Sequence, residues 1–128
     1  MKKILIINAS PRNGKSHSRK LTELFVKTWV KRYPEDLFTY REVGLSSIPH
    51  ITESWIASAF VKVEDRTEEN QRPLEFSNVL VRELQAADIY VIGTPMYNWS
   101  IPSGLKAYID QVMRIEILPI FRTNFSKS

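Results

Sequence analysis

The chain has 128 residues and no cysteine, an absence that excludes disulfide frameworks, thiolate nucleophiles, Cys-built zinc sites and cysteine-held iron–sulfur clusters. A cytoplasmic setting is the simplest match for that composition. Histidine is scarce too: His17 and His50 have no partner at metal-ligand spacing, so no metal site is expected. Long apolar runs are missing. The opening M-K-K-I-L-I-I-N-A-S imitates a charged signal-peptide start, but the run at residues 4–7 falls short of a signal core of about 7–15 residues. No membrane span is expected. Neither sign of charge dominates, since 18 basic and 14 acidic side chains are interspersed to give +4. A pI near 9.4 permits an anionic partner, yet without a basic stripe no nucleic acid is expected. Gly14, Lys15 and Ser16 mimic the end of a P-loop, but the earlier glycine of that motif would stand at Ala9. Gly93-Thr94 also ends a strand without the aspartate that would hold magnesium.

What is present describes one globular domain, 43% hydrophobic and long enough to bury a core without metal or disulfide staples. Residues 3–8 are apolar at consecutive positions, which suits a strand buried on both faces in a parallel sheet. Residues 9–18, A-S-P-R-N-G-K-S-H-S, read as a loop. A helix follows, capped by Ser16 or Ser18, with Leu21, Leu24, Phe25, Thr28 and Trp29 at helical spacing, and Pro34 stops it after Tyr33. Its lysines and arginines read as a solvated face. Residues 37–43 alternate, as an edge strand does. Residues 53–63 suggest a short helix begun at Thr52, and 64–73 a polar connection. Residues 76–87 give a helix with Leu80 and Leu84 in its stripe, 89–93 a short apolar strand, and a last helix starts near Pro102 with Leu105, Ile109, Val112 and Met113 inward. The order β-α-β-α-β-α with short βα loops predicts a doubly wound parallel sheet in three layers, with only three strands.

Ligands of open α/β sheets bind at the carboxyl ends of the strands. The first such end offers Ser10, Ser16, His17 and Ser18 with backbone amides at a helix N-terminus, a donor set suited to a phosphate monoester. The same serines could equally be turn and cap residues. The other end places Pro95, Met96, Tyr97, Asn98 and Trp99 where a core does not need them, a shelf for a flat heteroaromatic ring. Phosphate beside a planar ring describes a mononucleotide, and flavin is the mononucleotide most often found at this position of the topology.

Four segments, K-I-L-I-I-N-A-S-P-R, S-H-S-R-K-L, A-A-D-I-Y-V-I-G-T-P-M-Y-N-W-S-I-P and L-K-A-Y-I-D-Q-V-M-R, strongly resemble the FMN-dependent NADH-azoreductases. These are relatives of the NAD(P)H:quinone oxidoreductases and have a flavodoxin-like fold. The likeness covers residues 1–114, read as a partial flavodoxin-like FMN-binding domain, and leaves 115–128 as a divergent tail. It implies that Ser10, Ser16, His17 and Ser18 hold the FMN phosphate and that Met96, Tyr97, Asn98 and Trp99 line the isoalloxazine. It also implies ping-pong transfer of hydride from NADH or NADPH through FMN to azo or quinone acceptors, with no catalytic side chain, in a homodimer. Trp55 and Phe60 are expected as further aromatic walls. Two readings compete with the enzyme: a flavodoxin-like module that binds FMN or a protein without turnover, and a truncated, inactive fragment.

Overall fold

A computed structural model describes residues 1–114; the tail read at 115–128 lies outside the described residues. Eight principal elements follow one another as β1 (Lys3–Asn8), α1 (His17–Arg32), β2 (Leu37–Glu42), α2 (Glu53–Phe60), α3 (Glu68–Gln71), α4 (Glu75–Ala86), β3 (Ile89–Gly93) and α5 (Ser103–Val112). The three strands form one parallel sheet in the order β2-β1-β3, with Leu5 opposite Thr39 on one side and Tyr90 on the other. The consecutive apolar residues of β1 are explained by this central place. Ile4, Leu5, Ile6 and Ile7 are all buried, each worth about 1.5–3 kcal/mol on transfer from water.

Leu5 and Ile7 face the main core, where α4 contributes Leu80, Val81 and Leu84, and α5 contributes Leu105, Ala107, Tyr108 and Val112. α1 lies on the opposite face, against β1 and β3. Helix, sheet, helix is the expected three-layer arrangement. Ser16 caps α1 by accepting the Arg19 amide, and Thr52 caps α2 by accepting the Trp55 amide. The stretch expected as a polar connection is instead wound into short helical turns, because Thr67 and Asn70 form a reciprocal capping box.

The stripe expected for α1 is displaced. Leu21 and Leu24 are exposed, and the helix turns Ser18 and Thr22 inward, with Phe25 and Trp29 only half-buried. Close approach explains the choice: a Cβ on Gly93 would lie 2.5 Å from the Thr22 methyl, so only small residues fit where α1 meets β3. Among the described residues β3 is an outer strand, and Tyr90 and Ile92 are each about half exposed on it.

Candidate functional site

Parallel strands deliver their carboxyl ends to one side of the sheet, so the loops after β1, β2 and β3 converge there. Backbone bonds fix the convergence. Ala9 donates its amide to the Gly93 carbonyl at 2.9 Å, and Val43 and Gly44 donate to the Asn8 carbonyl at 2.9 and 3.1 Å. Gly44 is obligatory, because a Cβ there would lie 2.0 Å from the Ser10 carbonyl oxygen.

The loop after β1 is shaped from beneath. Ser10 is almost fully buried, and its Oγ accepts the Arg12 amide at 3.1 Å, the turn geometry a serine supplies to its own loop. Ser16 Oγ accepts the Arg19 amide at 3.2 Å and lies 3.1 Å from Ser18 Oγ. Those two hydroxyls are buried together at the start of α1, whose first amides, on His17 and Ser18, take no acceptor among the described residues. His17 itself is exposed. The hydroxyl pair and the amides form a neutral donor set at a helix N-terminus, which matches an anion's oxygens.

Arg19 corrects the reading of α1 as a uniformly solvated face. Its Nη1 and Nη2 donate to the two Glu42 carboxylate oxygens at 2.6 and 2.7 Å, Nη2 also donates to the Ser10 carbonyl at 2.6 Å, and Nε donates to the Arg12 carbonyl at 2.8 Å. The bonds raise the guanidinium pKa further. Burial pushes the Glu42 carboxyl up, but the bonds from Arg19 and the Leu45 amide outweigh it and hold the carboxyl below its usual range. Two sequence signals could have found this pair: an arginine directly behind S-H-S, and a glutamate at the end of β2.

The loop after β3 is built differently. Tyr97 and Ser100 exchange two backbone bonds of 2.8 Å, and Asn98 and Trp99 between them have φ of 50° and 63°. Two left-handed central residues make a type I′ turn, a conformation that normally demands glycine or asparagine. The amides of Asn98 and Trp99 take no acceptor among the described residues. Trp99 is 91% exposed and Met96 is also open to solvent.

A cavity of about 280 Å³ joins the loops: Pro11 comes from the first, Gly44, Ser46 and His50 from the second, and Tyr97 from the third, above Gly104 and Ala107 of α5. Gly104 can approach because a Cβ there would sit 3.0 Å from the Val43 carbonyl oxygen. Tyr97 is thus brought to the first loop. Ser16 opens instead onto a groove on the α1 side with Asn13, Gly14 and Arg19, and Ser18 shares a groove with Gly93 and Thr94. Trp55 and Phe60 do not join the cavity. Trp55 is buried and donates Nε1–H to Gln111 Oε1 at 3.0 Å, while Phe60 is exposed beside a groove that includes Met113.

A family model described as a flavodoxin-like fold matches residues 2–123. The chain belongs to the flavodoxin-like fold family. Its curated relatives include an FMN-dependent NADH:quinone oxidoreductase of Nostoc punctiforme, 50% identical over 115 residues, which cover 90% of this chain and 56% of that protein. FMN-dependent NADH:quinone oxidoreductase 1 of Pseudomonas fluorescens is 47% identical over 90% of this chain and 55% of its own length. Among solved structures, an azoreductase from Bacillus anthracis superposes with a TM-score of 0.81 at 27% identity, covering 91% of this chain and 58% of that one. An FMN-dependent NADH-azoreductase from the same species, in complex with FMN, gives 0.74 at 27% identity, with 88% and 56% covered. This flavodoxin-like chain therefore spans just over half the length of the relatives it matches. The family match continues beyond Arg114, into residues that lie outside the described ones. Among the described residues, no helix is long and apolar enough to cross a membrane, and no cluster of acidic or histidine side chains could hold a metal ion.

Proposed function

We propose that residues 1–114 form an FMN-binding unit of an NAD(P)H:quinone or azo oxidoreductase. Bound FMN would supply the redox chemistry, taking hydride from NAD(P)H and giving it to an azo or quinone acceptor in ping-pong order. The observation that carries the reading is the turn at 97–100: two left-handed residues leave two amides without an acceptor among the described residues, next to a tyrosine that lines the same cavity as the first loop. Such strain in a non-glycine turn is kept where a site needs it.

Within this reading Ser16, His17 and Ser18 hold the phosphate through hydroxyls and first-turn amides, and Ser10 sets the loop from below. Met96, Tyr97 and Trp99 give the ring an apolar face, while Asn98 and the turn amides meet its polar edge and stabilise negative charge there. No side-chain nucleophile is needed. A second copy of the chain, covering the open aromatic side, belongs to the proposal, as does a cytoplasmic setting.

Because the chain spans only part of its relatives, a second reading keeps the binding and drops the turnover. Titrating the purified chain with FMN, followed by flavin fluorescence and then NADH, separates the two. Saturable one-to-one binding with bleaching of the bound flavin supports the enzyme; saturable binding without bleaching supports the binding module. A folded chain that leaves FMN fluorescence unchanged would overturn both.

A further inference from the structure

We propose that the Arg19–Glu42 pair is a positioning device that locks the loop after β1 to the loop after β2, so that the first loop's amides and hydroxyls are preset for a phosphate monoester that the pair itself does not touch. The ligand part of this inference rests on the FMN reading above; the coupling between loops does not.

Three observations carry it. Arg19 engages four of the five N–H donors of its guanidinium, two on the Ser10 and Arg12 carbonyls of the first loop and two on the Glu42 carboxylate. Glu42 in turn governs the second loop: its Oε2 accepts the Leu45 amide at 2.8 Å, and its carbonyl accepts Ser46 Oγ at 2.5 Å. Finally, the Arg19 side chain is only 13% exposed, so its charge is met by Glu42 within the protein rather than offered to a ligand. A bidentate fork of this kind fixes distance and angle at once, which a lysine ammonium cannot do.

The geometry separates positioning from direct binding. Were Arg19 a phosphate ligand held in reserve, removing the Glu42 charge would free it and tighten binding. As a positioning residue, it loses its anchor in the same variant and binding weakens. E42Q, compared with the unaltered chain, therefore gives opposite answers for the two roles, while R19K breaks the fork itself and reports how far the loops depend on it. Each is titrated with FMN and with riboflavin, which carries the same ring without the phosphate. Amide hydrogen exchange at Arg12, Asn13, Gly14, Leu45 and Ser46 is followed in the ligand-free chain, and thermal melting checks the fold.

The expected result is FMN affinity lower by about tenfold in both variants, the scale of losing charge-assisted bonds that orient a binding loop. Riboflavin affinity should stay within about twofold by the same reasoning, and exchange should rise in both loops whichever partner is altered. Tighter or unchanged FMN binding in E42Q overturns the positioning role, and so does an equal loss for riboflavin. If the unaltered chain binds neither flavin, the functional reading falls while the exchange arm still decides the coupling: faster exchange in both loops upholds it, and unchanged exchange removes it. Should E42Q not fold, E42D keeps the carboxylate on a shorter stem and is expected to show the same direction with a smaller loss.

Discussion

The loops after β1 and β3 lie at the same end of one sheet and are held there by opposite means. The first is tied down from several directions: by Ser10 and Ser16 to its own backbone, by Arg19 to Glu42, and by the packing of Gly44 under Ser10. The third holds its shape by two bonds within one turn and carries a side chain almost wholly in solvent. On the proposed FMN reading this contrast has a purpose: a neutral oxygen-binding cradle needs several donors fixed within fractions of an ångström, so rigidity is built from outside the loop. A flat ring needs an accessible surface. For it, local backbone strain is a sufficient way to hold a shelf in place.

The largest expected effect comes from breaking the packed side of this comparison. Gly44→Ala forces a Cβ into the Ser10 carbonyl, and since backbone rather than a flexible side-chain tip is the obstacle, both strand ends must shift. A loss of about 3 kcal/mol is expected, at the upper end of ordinary overpacking. Urea denaturation measures it, and a variant within about 0.5 kcal/mol of the parent would mean that the loops are less firmly joined. Ser16→Ala is the next step down. It removes the cap of α1 and the partner of Ser18, with an expected cost of about 1 kcal/mol in the same experiment.

How much of this was legible beforehand differs between the two loops for the same reason. The elements themselves were readable because burial wrote them into local patterns: the unbroken apolar run of β1, the proline after α1 and the Thr52 cap of α2. The openness of the loop after β3 was readable because large apolar residues between a strand and a proline are not needed by the core there, and Met96 and Trp99 do stand in solvent. The ties of the first loop were hidden, since a serine that caps and a serine that binds look alike, and Arg19 meets Glu42 across 23 positions of chain. The periodicity of α1 points to the wrong face, because Gly93 and Thr22 override hydrophobicity with a demand for smallness. Periodicity reports which residues prefer burial, not which ones a close backbone contact admits.

Acid is a gentler way to loosen the first loop. Glu42 has its carboxyl below the usual range in the folded chain, so its contribution is in place above the ordinary carboxylate value and is lost as pH falls through the lowered one. Because the Glu42 side chain is 35% exposed, the pair is expected to contribute about 1 kcal/mol or less. The unaltered chain should therefore lose somewhat more stability than E42Q between the ordinary carboxylate pKa and the lowered one. Parallel pH–stability curves for the two would show that the pair does not hold the loop.

The smallest expected effect has the opposite sign, and it tests the open loop. Trp99 at φ 63° pays for a left-handed backbone that glycine adopts freely, roughly 1–2 kcal/mol. Trp99→Gly removes that cost but adds chain entropy to the unfolded state, which takes back about 0.5–1 kcal/mol. The net expectation is a gain of about 0.5 kcal/mol, read as a slightly higher melting temperature. Trp99→Ala keeps a Cβ and gains nothing. Both variants remove the indole, so both should weaken FMN binding where the parent binds it, and only the glycine variant should melt later. If the two melt alike and below the parent, the exposed indole is packing against something, and the contrast between a braced loop and a strained one fails at the residue where it is sharpest.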